Sequence, residues 1–350
     1  MASVVDVFCG AGGLTHGFVR QGFNVVAGID NNIDCKFPYE RNNRTSFMHK
    51  SVYDMEANEI ESLFVPGQPK ILVGCAPCQP FSKYTHKREY RDKWDLVIKF
   101  AELILKVKPD VFSMENVPAL VTYKKGEVFD KFIDMLQPCY PTRIWWDIVN
   151  AQDYGAPQNR RRLVVLGSKL GGIELLPRTH EPGERVSVDD CISQLPPIQA
   201  GEVCERDPLH RSQGLTPINL ERIRQSRPGG TWRDWEEHLR APCHRRATGQ
   251  TYSSVYGRMR SDRPSPTITT QAYSFGTGRF GHPSQDRALS LREMALLQTF
   301  PNEYEFLDCE KSVVSLKLVG KLIGNAVPVL LAEHIAESIE KHLEEHGHSK

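Results

Sequence analysis

The chain has 350 residues, a length that fits about two domains at the usual ~150 residues each. Hydrophobic residues make up 40% of it and charged residues 25%, which excludes a disordered chain, a collagen-like fibre and a disulfide scaffold. No apolar run reaches the ~18 residues of a membrane span. The net charge of +1 names no partner, and nine cysteines without a signal peptide predict reduced thiols in the cytoplasm.

The first 170 residues alternate short apolar runs with amphipathic stretches, the pattern of a layered α/β sheet. The predicted strands are Val4–Phe8, Val25–Ile29, Ile71–Gly74, Val111–Met114 and Leu163–Leu166. The predicted helices are Trp94–Val107, Leu291–Thr299 and Val329–Leu343. Continuous Val/Ile/Leu runs favour strands buried on both faces, as in a parallel sheet.

The composition and the hydrophobic periodicity of the sequence change near Gly171. Ten prolines and weak periodicity between Gly171 and Thr270 predict a smaller, loop-rich domain. Between Arg211 and Arg263 stand 11 arginines and no lysine, against five acids. A chain that is neutral as a whole therefore carries one basic region. The C-terminal histidines, His342 among them, fall in a charged tail and are predicted to be solvated and not to form a metal site.

A glycine cluster follows the first predicted strand, in Asp6-Val7-Phe8-Cys9-Gly10-Ala11-Gly12-Gly13-Leu14. Glycines at the start of a helix let a ligand approach the backbone closely. The spacing is not G-x-G-x-x-G, which weakens a dinucleotide interpretation. Asp30 ends the second strand, where an acid can accept hydrogen bonds from ribose hydroxyls, and Asp54 follows as a third acid. The alternative is a strand-to-helix turn with a capping Asp.

A C-x-x-C pattern, Cys75 to Cys78, follows the strand that ends at Gly74. Structural zinc generally needs four ligands, and the sequence offers no second C-x-x-C or H-x-x-x-H partner. One buried and one functional thiol is the other interpretation. Pro77 and Pro80 stiffen the loop around Cys78, which suits a nucleophile that must be held in place.

Two further polar motifs stand beside predicted strands. Glu115 lies at the carboxyl end of one strand, the ligand-binding edge of an open α/β sheet, although a helix cap or a surface acid is the alternative. Gln158, Arg160 and Arg162 precede the next strand, and alternation would send all three to one side. The alternative for this basic segment is a solvated face.

Taken together, these residues resemble the DNA (cytosine-5) methyltransferase family over nearly the whole chain. The family's motifs match Phe8–Gly13, Pro77-Cys78-Gln79, Glu115–Val117, Gln158 with Arg160 and Arg162, Arg263–Thr269, and Gly324–Pro328, in family order. The resemblance implies a Rossmann-like, AdoMet-dependent methyltransferase α/β fold with a mostly parallel sheet and a smaller, loop-rich target-recognition domain. It implies a discontinuous catalytic domain, 1–170 plus 301–350, and a target-recognition domain, 171–300.

The resemblance also implies the chemistry. Cys78 is expected to attack carbon 6 of a cytosine flipped out of a specific duplex site, with Glu115 serving ring nitrogen 3 and Arg160 and Arg162 near the nucleophile. The methyl donor would be S-adenosyl-L-methionine, with no metal. Its expected contacts are Phe8, Gly10, Ala11, Gly12, Gly13, Asp30, Asp54 and Asn325. The other cysteines, Cys75 among them, are interpreted as buried or incidental.

The expected partner is double-stranded DNA, bound by a monomer in the bacterial cytoplasm without a membrane, alongside a cognate restriction endonuclease. Trp232 and Trp235 are predicted as core of the small domain, with a wedge into DNA as the alternative. A tRNA methyltransferase of the same fold is disfavoured because its Cys-Phe-Thr signature does not occur. A catalytically silent DNA-binding relative is disfavoured because the Pro-Cys and Glu-Asn-Val motifs are intact. A nicotinamide-dependent oxidoreductase leaves both motifs unexplained.

Overall fold

The computed structural model describes residues 2–77, 95–246, 249, 253–309 and 313–348. In chain order its strands are β1 (Ser3–Val7), β2 (Asn24–Asp30), β3 (Ser46–His49), β4 (Lys70–Gly74), β5 (Val111–Asn116), β6 (Trp145–Asn150), β7 (Gln158–Asn159), β8 (Arg161–Ser168), β9 (Val203–Cys204), β10 (Asp207–Arg211) and β11 (Ser265–Pro266). The helices are α1 (Gly13–Arg20), α2 (Lys36–Asn43), α3 (Ala57–Glu61), α4 (Asp95–Val107), α5 (Ala119–Thr122), α6 (Glu127–Leu136), α7 (Val188–Ile192), α8 (Pro217–Gln225), α9 (Leu291–Leu297), α10 (Leu316–Asn325) and α11 (Val329–Glu345).

Among the described residues, seven strands form one sheet in the order β3-β2-β1-β4-β5-β8-β6. The strands from β3 to β5 in this order are all parallel, whereas β8 runs antiparallel to both of its neighbours. The predicted mostly parallel α/β sheet is therefore confirmed. Because parallel strands carry ligand sites at their carboxyl ends, the glycine cluster, Asp30 and Glu115 all lie at the edge where a site is expected.

Each face of the sheet packs against helices. One core cluster joins the sheet to α4 and α6 through residues such as Phe100, Phe112 and Phe132. A second cluster on α1 and α11 includes Phe18 and Ile335. Strands covered on both sides read as continuous apolar runs, which is why β1, β4 and β8 were recognisable from sequence.

The chain divides into two compact units. The first comprises Met1–Tyr154, Arg161–Thr179 and Val327–Lys350, and the second comprises Gly155–Arg160 and His180–Ala326. These bounds differ from the predicted domains at three places, the first of which is Gly155–Arg160, which belongs to the second unit. Residues 171–179 belong to the first unit, where Ile173 and Leu175 join the core beside α11. Residues 301–326 belong to the second. The division of function between 1–170 with 301–350 and 171–300 stays a prediction.

The second unit has little regular structure but a core of its own. Trp232 and Trp235 are 3% and 2% exposed and pack with Ile223, Leu239 and Phe275, so the core interpretation of the two tryptophans is confirmed. A buried ion pair lies elsewhere in this unit, where Arg287 donates to both carboxylate oxygens of Glu293 at 2.7 Å. Removing either partner of such a pair leaves an uncompensated buried charge, which is strongly destabilising.

The stretch Leu316–Glu345 is long and apolar enough to cross a membrane, by length and composition. The chain breaks it into α10 and α11, however, and 61% of its most apolar window is buried inside the protein. Core helices pass the same composition test. The expectation of a solvated tail is wrong for His342, which is 4% exposed and whose Nε2 lies 2.7 Å from the Ser168 hydroxyl.

Candidate active site

The glycine cluster forms a tight turn between β1 and α1. Phe8 has φ 62°, Gly10 φ 53° and Gly12 φ 91°, all in the left-handed region. Gly12 is the N-cap residue of α1, and a β-carbon placed on Gly10 would meet no atom within 4 Å. The turn therefore leaves open space beside Gly10, close in sequence to the N-terminus of α1, and a side chain at Gly10 would occupy that space.

Asp30 is tied to this turn by its carboxylate. Its Oδ2 accepts a hydrogen bond from the backbone N–H of Gly10 at 3.0 Å, and its Oδ1 accepts one from Asn32 at 2.8 Å. The acid at the end of β2 is thus held against the glycine turn. Asp54 is exposed at the end of a short 3-10 turn after β3.

Sequence reasoning missed the role of Asp6, which is fully buried beneath the turn. Thr15 Oγ1 lies 2.7 Å from Asp6 Oδ2 and 3.0 Å from the hydroxyl oxygen of Tyr39, so the three side chains form a chain. Burial raises the pKa of Asp6 to about 7, the Thr15 hydrogen bond opposes this, and the Asp30 carboxylate adds to it. A lone acid inside a strand was the available signal.

Glu115 is placed by β5 and by two partners. Its side chain is 3% exposed, and its Oε1 lies 2.8 Å from Arg162 Nε on β8. Its Oε2 accepts a hydrogen bond from the thiol of Cys75 at 2.9 Å. The buried carboxylate thus faces a cation on one oxygen and a thiol on the other. Of the predicted catalytic residues, the structure brings Glu115 and Arg162 into contact.

The chain that follows β4 is held against the end of β5. Asn116 donates from Nδ2 to the carbonyl of Ala76 at 3.1 Å, and its Oδ1 accepts from the Val117 N–H at 2.9 Å. Gly74 lets β4 lie close to β1 at this edge, because a β-carbon there would stand 2.7 Å from the Val7 carbonyl oxygen. The loop leading towards Cys78 therefore starts beside Glu115. Cys78 itself lies outside the described residues.

Gln158 and Arg160 belong to the second unit and are buried there. The guanidinium of Arg160 donates to the carbonyls of Ile268, Gly324 and Ala326, at 2.9 to 3.2 Å. These bonds secure the backbone on either side of Asn325, which is exposed at the end of α10. The structure thus places Arg160 among backbone carbonyls and Arg162 against a carboxylate.

The second unit also contains an open cleft of ≈ 940 Å³. Six arginines line it, namely Arg227, Arg233, Arg258, Arg260, Arg263 and Arg279. Arg258 is 6% exposed and donates to Asp286 and to loop carbonyls, so it supports the fold. Arg260 instead forms a bidentate salt bridge with Asp262 on the surface. This salt bridge lowers the pKa of the Asp262 carboxyl to about 2.

A glycine turn after β1 and an acid at the end of β2 lie at the carboxyl edge of a sheet that has one antiparallel strand among parallel ones, and open α/β sheets bind their ligands at this edge. A family model described as C-5 cytosine-specific DNA methylase matches residues 2–341. The chain belongs to this family, and the resemblance seen in its motifs is confirmed. Among the described residues, no group of three or more His, Cys, Asp or Glu is placed to hold a metal ion.

Similar proteins align with nearly the full length of this chain. The Type II methylase M.HgiDII of Herpetosiphon aurantiacus is 49% identical over 98% of this chain and 96% of its own. The Type II methyltransferase M.PspPI of Psychrobacter is 30% identical over 96% of this chain and 78% of its own. In fold, the chain resembles the Entamoeba histolytica methyltransferase EhMeth, with a TM-score of 0.66 at 15% identity, over 98% of this chain and 99% of that one.

Proposed function

We propose that the protein is an S-adenosyl-L-methionine-dependent DNA (cytosine-5) methyltransferase that flips its target base and forms a covalent adduct through Cys78. The observation that carries this proposal is the pairing of buried Glu115 with Arg162, beside the loop that leads to Cys78. The Type II names of the relatives support a place in a bacterial restriction–modification system, with a cognate endonuclease as the partner enzyme.

The first unit fits the cofactor. The glycine turn presents backbone at the N-terminus of α1, and a β-carbon at Gly10 would occupy its open side. Phe8, Gly10 to Gly13, Asp30 and Asp54 would hold the cofactor, Asp30 through ribose hydroxyls, and Asn325 is proposed with them on the family resemblance alone. When bound, the cofactor supplies an electrophilic methyl group.

The chain's own residues supply the nucleophile and the groups that activate the cytosine ring. The Cys78 thiolate forms a bond to carbon 6 of cytosine, which breaks the ring's aromaticity and makes carbon 5 nucleophilic. Glu115 holds a proton at ring nitrogen 3, where negative charge develops. Arg162 donates a hydrogen bond to the adjoining carbonyl oxygen of the base. After methyl transfer, a base removes the carbon 5 proton and the bond to Cys78 breaks, which restores the ring and the thiolate.

Replacing Cys78 tests this mechanism directly. Cys78→Ala should abolish methyl transfer while cofactor binding survives, because the glycine turn is a separate segment. Bisulfite sequencing of DNA from cells that express the protein identifies the methylated site. Isothermal titration calorimetry measures the affinity for the cofactor. A duplex with 5-fluorocytosine at that site should trap the wild-type protein through Cys78, since fluorine does not leave as a proton does. Trapping at Cys75, or no adduct with active protein, would contradict the mechanism.

A further inference from the structure

The contact between Cys75 and Glu115 has a definite structural origin. Strands β4 and β5 are parallel, and Gly74 pairs with Met114 in their register. The next residue on each strand is therefore Cys75 on one and Glu115 on the other, side by side at the carboxyl edge of the sheet. Their side chains meet there, with the thiol of Cys75 donating to Glu115 Oε2 at 2.9 Å.

We propose that Cys75 is a positioning residue that sets which oxygen of Glu115 carries the proton. This inference rests on the proposed function, in which Glu115 serves ring nitrogen 3 of cytosine. The terminal torsion of a glutamate is broad, so a carboxylate without partners has no fixed rotation. Here Oε2 accepts a hydrogen bond from Cys75, whereas Oε1 makes an ion pair with Arg162 but no hydrogen bond, so the hydrogen bond from Cys75 orients the group.

The two partners differ in how they respond to a proton. A guanidinium only donates and stays charged, so a proton on Oε1 would face Arg162 Nε at 2.8 Å and is disfavoured. A thiol is a weak donor and also a weak acceptor. Cys75 can donate to the carboxylate and can turn to accept from the carboxylic acid. In the carboxylic acid form, Oε2 is therefore the oxygen that carries the proton, and Oε1 keeps its contact with Arg162.

The pH profile of methyl transfer tests this role. Cys75→Ala removes a donor to the charged form, so Glu115 should stay protonated to higher pH. The alkaline limb of the single-turnover rate should then move up by about 0.4 to 1 pH unit, the equivalent of one hydrogen bond. Cys75→Ser keeps a group that donates and accepts, and its limb should return to the wild-type position. Cys204→Ala, which removes another half-buried thiol, is the matched control.

A second comparison separates positioning from mere packing. In a Glu115→Gln background, Cys75→Ala should change the rate no further, because Cys75 acts through the carboxylate. An unshifted limb in Cys75→Ala, or equal shifts in the Ala and Ser variants, would overturn the inference while leaving the proposed function intact. Absence of cytosine methylation by the wild-type protein would overturn the proposed function itself. Cofactor binding and the thermal midpoint report whether each variant is folded.

Discussion

Between about pH 4 and 7, the raised pKa of the buried Asp6 carboxyl means that this group takes up a proton when the protein folds. Its pKa rises from an ordinary 3.8 to about 7, chiefly because burial removes water from the charged form. In the unfolded chain the same group is ionised above about pH 4. The stability that Asp6 contributes is therefore complete below about pH 4 and is lost as pH rises through about 7.

Replacing Asp6 by Asn should flatten the pH dependence of stability. The amide does not titrate, so the decline in the free energy of unfolding between about pH 4 and 7 should weaken, by ~1.4 kcal/mol for each unit of pKa shift that is lost. Urea unfolding midpoints of the variant and the wild type across this range measure the slope. Asp134→Asn, at an exposed position of α6, is the control. Parallel curves for Asp6→Asn and wild type would show that Asp6 does not titrate in this window.

At the residue scale, the sequence predicts which side chains matter better than it predicts their partners. The positions of Asp30 and Glu115 follow from strand ends, and the structure places both there. The alternation of Gln158, Arg160 and Arg162 suggested a shared side, yet Arg160 donates to carbonyls while Arg162 pairs with Glu115. Side-chain partners depend on segments far apart in sequence, which periodicity does not report.

At the scale of elements, helices α1 and α11 pack so closely that a glycine is needed between them. A β-carbon on Gly17 would lie 2.4 Å from Cβ of Ala332 and 2.7 Å from the carbonyl carbon of that residue. A salt bridge at 3.0 Å between Arg20 and Glu333 continues the contact at the surface. These two helices cover one face of the sheet together.

Gly17→Ala should destabilise the protein even though alanine favours a helix by ~1 kcal/mol over glycine. The new methyl group meets backbone that cannot move alone, and overpacking of this kind costs about 1–3 kcal/mol. A lower urea midpoint for the variant checks this expectation. Gly172→Ala provides the control, because a β-carbon there meets nothing within 4 Å. Equal midpoints for both variants would show that the helices can separate freely.

The elements that the sequence missed lie where its signal is weakest. The five predicted strands became β1, β2, β4, β5 and β8, all interior to the sheet. Strands β3 and β6, which went unpredicted, are its two edges. Both carry half-buried or exposed residues among the apolar ones, so neither reads as a continuous apolar run. Burial on both faces is what makes a strand visible in one sequence.

At the scale of the whole molecule, the basic region of a neutral chain gathers in the cleft of the second unit. Arginine's planar fork suits guanine edges and phosphates, and the exposed Arg227, Arg260 and Arg263 belong to this cleft. Acids already pair with all three. A guanidinium held by an acid is oriented before DNA arrives, which reduces the cost of ordering it on binding.

Replacing any one of these three arginines by alanine should weaken DNA binding in one of two ways. Loss of a phosphate contact should weaken all duplexes alike and reduce the salt slope by about one. Loss of a base contact should cost about 1–3 kcal/mol on the preferred site and relax one position of the methylated sequence. Fluorescence anisotropy across salt concentrations and bisulfite sequencing read the two effects. Arg143→Ala, at an exposed position of the first unit, is the control. If all three variants matched this control in DNA affinity, salt slope and methylated sequence, DNA recognition would have to lie elsewhere.

The packing of α11 against α1 sets a time at which the protein can first act. At ~5–20 residues per second, a ribosome completes β1 about 17 to 68 s before it completes α11. Throughout that interval Phe18 and the apolar face of the sheet have no cover from Ile335 and its neighbours. This core cluster is therefore incomplete until α11 has left the ribosome. Nascent chains are therefore expected to need shielding by chaperones, and cells making this protein should contain no methylating fragments that stop short of residue 329.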